Sequence, residues 1–116
     1  MLPDAAQWGK SWRMRVHFVA IAGTGMGALS GLFKAAGHEV SGSDVAFYPP
    51  MGPALRAWGV RCLEGFDPKH LDPKPDLGVV GNVCRPTNPE AKAARDAGMN
   101  VTTMAHALAD HIAWAE

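Results

Sequence analysis

The sequence predicts an α/β fold: a single domain built on a parallel sheet of about five strands with flanking helices. Three observations carry that expectation. Short apolar, β-branched runs alternate along the chain with stretches of helical periodicity, the pattern of βαβ units with right-handed crossovers. A glycine-rich turn, Gly23-Thr24-Gly25-Met26-Gly27-Ala28, joins the first such run to the first helical stretch. The length, 116 residues, with 47% hydrophobic and 19% charged, suffices for one buried core in one folded domain.

Residues 1–14 read as a loose leader ahead of the domain at 15–116. The run Arg15 to Ile21 (RVHFVAI) is apolar and stops at glycines, as a buried first strand does. From Gly25 to Ala36, Met26, Leu29, Leu32, Phe33 and Ala36 recur at helical spacing, and Gly37 follows in the usual C-terminal position. His38 to Ser43 is a second strand ending at Asp44, and Tyr48-Pro49-Pro50 imposes an extended turn. Pro53 to Trp58, followed by Gly59, predicts a second helix, and Val60 to Leu63 a third strand. Glu64 to Pro75 contains three prolines and reads as loop. Asp76 to Gly81 (DLGVVG) is a fourth, buried strand. Pro89 to Ala97 is an alanine-rich helix with Pro in its tolerated first turn and Asn88 as its N-cap. Met99 to Thr102 is a fifth strand, and Met104 to Glu116 a final helix.

Composition excludes several classes. Eleven basic residues balance eleven acidic ones, so no net field draws the chain to nucleic acid or an anionic membrane. The first fourteen residues, with Asp4, Lys10 and Arg13, lack a signal-peptide core, and no run reaches the ~18 apolar residues of a membrane span. Cys62 and Cys84 form neither a CxxC unit nor a disulfide framework, which fits a reducing cytoplasm. The acceptor-like Asn100-Val101-Thr102 has no secretory context. Gly9-Lys10-Ser11 imitates the end of a P-loop, but Asp4 stands where its first glycine belongs and no strand precedes it. The histidines His17, His38, His70, His106 and His111 show no HxxxH or HExxH spacing, so a metal site is not expected.

The glycine turn matches G-x-G-x-x-G/A in its required context between strand and helix, which makes the sheet Rossmann-like. Gly23 permits the tight turn, Gly25 lets a pyrophosphate approach the backbone, and Ala28 is expected to let the helix pack closely on the strand. Exposed N–H groups and the positive helix end supply the anion site. Asp44 follows the loop by about 20 residues, where an acid at the end of the second strand accepts hydrogen bonds from a nucleoside; capping a turn is its alternative role. Asn82 and Arg85 follow the fourth strand at the same carboxyl edge. Arg85 is placed to clamp a phosphate or carboxylate, or simply to sit in solvent.

The run HFVAIAGTGMGALSGLFKAAGHEVSGSD, with YPPM, WGVRCLEGFDP, PDLGVVGN and RPTNPE, resembles the N-terminal domain of the Mur ligase family over Arg15 to Asp110. Within the family the likeness is to the peptidoglycan-recycling branch ahead of the L-alanine-adding branch, whose pattern lacks YPPM. The resemblance implies that Thr24, Gly25, Met26 and Gly27 hold the diphosphate of UDP-N-acetylmuramate. It also implies that Asp44 and the backbone of Val45 meet the uracil or ribose, and that Asn82 and Arg85 line the same pocket. Phe66, in EGFDP, would stack on the uracil, with core packing as its alternative. Family members add a central ATPase domain and a C-terminal domain that receives the amine. ATP and magnesium activate the muramoyl carboxylate there, so this chain by itself is expected to bind without catalysing. Two other readings of the glycine motif stay open: a stand-alone NAD-binding regulatory module and a fragment of an NAD-dependent dehydrogenase.

Overall fold

The computed structural model describes residues 13–81, 85 and 87–111. Its strands are β1 (Arg15–Val19), β2 (Glu39–Asp44), β3 (Arg61–Glu64), β4 (Leu77–Val80) and β5 (Val101–Thr103). All pair in parallel, in the order β3-β2-β1-β4-β5. The helices are α1 (Thr24–Ala35), α2 (Met51–Ala57), α3 (Pro89–Asp96) and α4 (Met104–His111), with a 3-10 helix at Pro68–Leu71 between β3 and β4. The chain winds outward from β1 through β2 to β3, then restarts on the other side of β1 with β4. That reversal opens a crevice at the carboxyl ends of β1 and β4, the place where open parallel sheets bind ligands.

Side chains alternate between the two faces of each strand, and the faces differ. One buries Val16, Phe18, Val40, Leu77 and Val79 in a cluster with Leu29 and Phe33 of α1, Leu55 of α2 and Ala107 of α4. Phe18 and Phe33 meet edge to face, centroids 5.8 Å apart. The other face is thinner and more polar: Val19 and Val80 pack on Ala91 of α3, and His17, Ser43 and Glu90 are completely buried beside them.

Three helices stop in the same way. After α1, α2 and α3, Gly37, Gly59 and Gly98 take φ of 98°, 85° and 71°. In each case the glycine and its successor donate to the last turn, as His38 N–H does to Phe33 O and Val60 N–H to Leu55 O. This is the Schellman closure, which glycine makes without steric cost.

The expected elements are present, with shifted ends. β1 stops at Val19 because Ala20 adopts φ 69°, which leaves the extended region. Ile21 then turns into the core over Gly42, where a β-carbon would collide with it. The second helix starts at Met51, since Pro53 tolerates the first turn. The segment read as loop holds the 3-10 helix, capped by the Asp67 side chain accepting from Lys69 N–H at 2.9 Å, with Pro68 opening it. Most of the leader and residues 112–116 lie outside the described residues.

Candidate functional site

The β1–α1 turn ends in an open helix terminus. Gly23 is the N-cap of α1 and, having no side chain, makes no side-chain cap; the first turn holds no acidic residue. The first intrahelical bond runs from Gly27 N–H to Gly23 O at 2.7 Å. The N–H groups of Thr24, Gly25 and Met26 therefore precede any intrahelical acceptor and point out at the positive end of the helix. Thr24 and Gly25 are exposed and Met26 is buried. Gly27 is buried, and a β-carbon there would run into the Met51 side chain. Close helix packing thus falls to Gly27 against α2, not to Ala28 as the motif suggested. Ala28, one residue or about 100° further round the helix, is exposed.

Two adjoining clefts lie along this carboxyl edge. One, of about 360 Å³, is lined by Ala20, Gly23, Gly25, Met26, Asp44 and Met104. The next, of about 410 Å³, is lined by Ala20, Asp44, Val45, Phe66, Arg85 and Asn88. Ala20 and Asp44 belong to both, so residues scattered from position 20 to 104 form one trough. Asn82 lies outside the described residues. A comparable cavity of about 380 Å³ opens at the amino-terminal edge of the strands, beside Arg15, Glu39, Arg61 and His70. It lies away from the glycine turn and from the carboxyl edge where such sheets bind.

Asp44 has structural duties within the trough. Its Oδ2 accepts from Ala22 N–H at 2.9 Å and its Oδ1 from Val45 N–H at 2.7 Å. The preceding carbonyl, Ser43 O, accepts from Ala20 N–H and Ile21 N–H at 2.8 and 3.0 Å. The end of β2 thereby holds the start of the glycine turn. A carboxylate oxygen accepts more than one hydrogen bond, so Asp44 retains capacity toward a ligand. Phe66 is half-buried and packs beside Val19, Val80 and Ala91. Val45 and Arg85 are exposed.

The sequence reading missed a buried polar cluster behind the trough. Glu90, the second residue of α3, is 0% exposed. Its Oε2 accepts from Ser43 Oγ, and its Oε1 lies 2.6 Å from His70 Nδ1. His17 Nε2 approaches Oε2 at 3.3 Å, an ion-pair distance without hydrogen-bond alignment, while His17 Nδ1 meets Ser41 Oγ at 2.7 Å. Burial pushes the Glu90 carboxyl up, but His17, Ser43 and His70 together outweigh it and hold the group below the ordinary carboxylate value. Glu90 and these three partners come from four separate segments, so no spacing in the sequence links them. The available signal was His17 inside an apolar strand, since a buried imidazole needs a polar partner. Burial pushes the Cys62 thiol up, against Arg56, the opposite of an activated nucleophile. Among the described residues, no group of three or more His, Cys, Asp or Glu is arranged to hold a metal, and no helix is long and apolar enough to cross a membrane.

Residues 15–114 match the profile of the Mur ligase family, catalytic domain. The UDP-N-acetylmuramate–L-alanyl-γ-D-glutamyl-meso-2,6-diaminoheptandioate ligase of Escherichia coli is 44% identical over 80 residues, 69% of this chain and 18% of that protein. The UDP-N-acetylmuramate–L-alanine ligase of Kineococcus radiotolerans is 43% identical over 100 residues, covering 82% of this chain and 20% of its own length. Among solved structures, the murein peptide ligase of Psychrobacter arcticus superposes with a TM-score of 0.82 at 39% identity, over 85% of this chain and 21% of that one. The chain therefore spans about a fifth of the length of these relatives. Parallel sheet, glycine turn, family profile and close relatives agree: this chain belongs to the Mur ligase family.

Proposed function

We propose that this chain is the UDP-N-acetylmuramate-binding domain of an ATP-dependent, amide-bond-forming Mur ligase of the peptidoglycan-recycling branch. The observation that carries the reading is the uncapped N-terminus of α1, which opens on a trough continuing past Asp44 to Phe66 and Arg85. The diphosphate would accept from the N–H groups of Thr24, Gly25 and Met26, where backbone donors and the helix dipole favour an anion. Gly27 would serve by letting α1 sit close to Met51. The nucleoside would lie along the adjoining cleft, with Asp44 and the Val45 backbone at its polar edge, Phe66 beside the base and Arg85 at the rim. The branch assignment rests on the Escherichia coli and Psychrobacter arcticus relatives, and the cytoplasm is where such a substrate is handled.

ATP and magnesium do not fit the described residues. The glycine turn has neither the lysine nor the following Ser or Thr of a P-loop, so this chain's part is to bind and orient the UDP-sugar while other domains of the ligase carry out activation. A nicotinamide dinucleotide is the rival ligand for the same turn. Calorimetric titration of the 116-residue chain with UDP-N-acetylmuramate, UDP and NADH separates them. The UDP-sugar is expected to bind best, with UDP keeping part of the affinity. Binding of NADH without response to either uridine ligand would overturn the proposal.

A further inference from the structure

Glu90 touches neither cleft, yet its hydrogen bonds reach both walls of the trough. On the sheet side, Ser43 donates its hydroxyl to Glu90, and the Ser43 carbonyl accepts from Ala20 and Ile21. The next residue, Asp44, accepts from Ala22. Three consecutive N–H groups leading into the glycine turn thus hang on the end of β2, and the side chain that fixes that end is bonded to Glu90. On the helix side, Asn88 Oδ1 accepts from Glu90 N–H and Ala91 N–H at 3.0 and 3.1 Å, and Asn88 N–H donates to Arg85 O at 2.9 Å. Arg85, Thr87, Asn88 and Pro89 line the second cleft. Glu90 is therefore bonded through its carboxylate to the strand end that carries Asp44, and through its backbone N–H to Asn88, which bonds in turn to Arg85.

We propose that Glu90 is a positioning residue for the nucleotide trough, tying the end of β2 to the N-terminus of α3 so that Asp44 and Arg85 stand at the separation a uridine nucleotide requires. This rests on the uridine reading above. The carboxylate suits the task because a buried charge with several donors tolerates little displacement: each shift leaves a desolvated group unpaired. Its place in the first turn of α3 adds the favourable field of that helix end. The groups facing it are His17 from β1, Ser43 from β2 and His70 from the 3-10 helix.

The test is UDP affinity by calorimetry in Ser43→Ala, Glu90→Gln and Asp44→Asn, singly and as the doubles with Asp44→Asn, each checked for a native far-UV spectrum. Ser43→Ala removes one hydroxyl at a buried site and keeps the fold available should Glu90→Gln fail to fold. Either variant is expected to bind UDP roughly ten-fold more weakly, the fold-change of a ~1.4 kcal/mol loss. A residue acting through the Asp44 wall gives effects that do not add: in the Asp44→Asn background the further loss should shrink to less than about three-fold. A merely structural role lowers the melting temperature and leaves UDP affinity, or its additivity, unchanged, and that result overturns the proposal. Failure of the unaltered chain to bind UDP would overturn the functional reading and this one with it. Normal binding by folded Ser43→Ala and Glu90→Gln would overturn this one alone.

Discussion

Gly25→Val separates the binding role of the glycine turn from its structural role. Gly25 is exposed in the first turn of α1, and a β-carbon there would lie 3.1 Å from Met104 Sδ and 3.4 Å from Cε. Those atoms are the flexible end of a partly buried side chain, which adapts more cheaply than a packed core would. Overpacking in a rigid core costs about 1–3 kcal/mol, and a yielding thioether puts this site near ~1 kcal/mol. Valine regains a few tenths of a kcal/mol through its better helix propensity. A net loss near 1 kcal/mol lowers the melting temperature of a domain of this size by roughly 4–8 °C, so the variant stays folded at room temperature. The cost to binding is larger, because the γ-carbons project into the cleft where a pyrophosphate must touch bare backbone. Loss of that contact should weaken UDP binding at least about 100-fold, or ~2.7 kcal/mol. Thermal unfolding followed by circular dichroism and calorimetric titration with UDP read the two quantities separately. A folded Gly25→Val with native affinity would refute the assignment of the turn to the diphosphate.

Two further predictions concern stability. The folded-state pKa of Glu90 lies below its ordinary 4.5, so its ionised form contributes stability that is fully present above that value and is lost as pH falls through the depressed one. Denaturant midpoints of the native chain and Glu90→Gln should accordingly differ most near neutral pH and converge as the solution is acidified below the ordinary carboxylate value; a gap that widens with acid would contradict the sign. Gly52→Ala would drive a β-carbon into the Phe47 carbonyl, a backbone atom with nowhere to go. It should cost about 1–3 kcal/mol despite the better helix propensity of alanine, and an unchanged melting temperature would show that the α2 start is not packed as described.

Much of the fold was legible because the signals were local. The apolar strands, the glycine stops at Gly37 and Gly59, and the Asn88 cap are each decided within a few residues, and each is present. Element ends shifted where neighbours intervened. Ala20 leaves the strand conformation while its N–H and that of Ile21 converge on the Ser43 carbonyl, a partner more than twenty positions away. The loop before β4 hides a 3-10 helix whose His70 turns inward to Glu90.

By itself, the sequence determined the class of fold, the order of its elements, the glycine turn and the family, because periodicity, turn chemistry and motif spacing are properties of a chain read along its length. Only the tertiary structure decided what Gly27, Asp44 and Glu90 do. Gly27 faces Met51 across two helices, Asp44 braces the turn that precedes α1, and Glu90 gathers His17, Ser43 and His70. Burial of a carboxylate is favourable only when distant donors converge on it, and convergence is settled by how strands cross and helices pack.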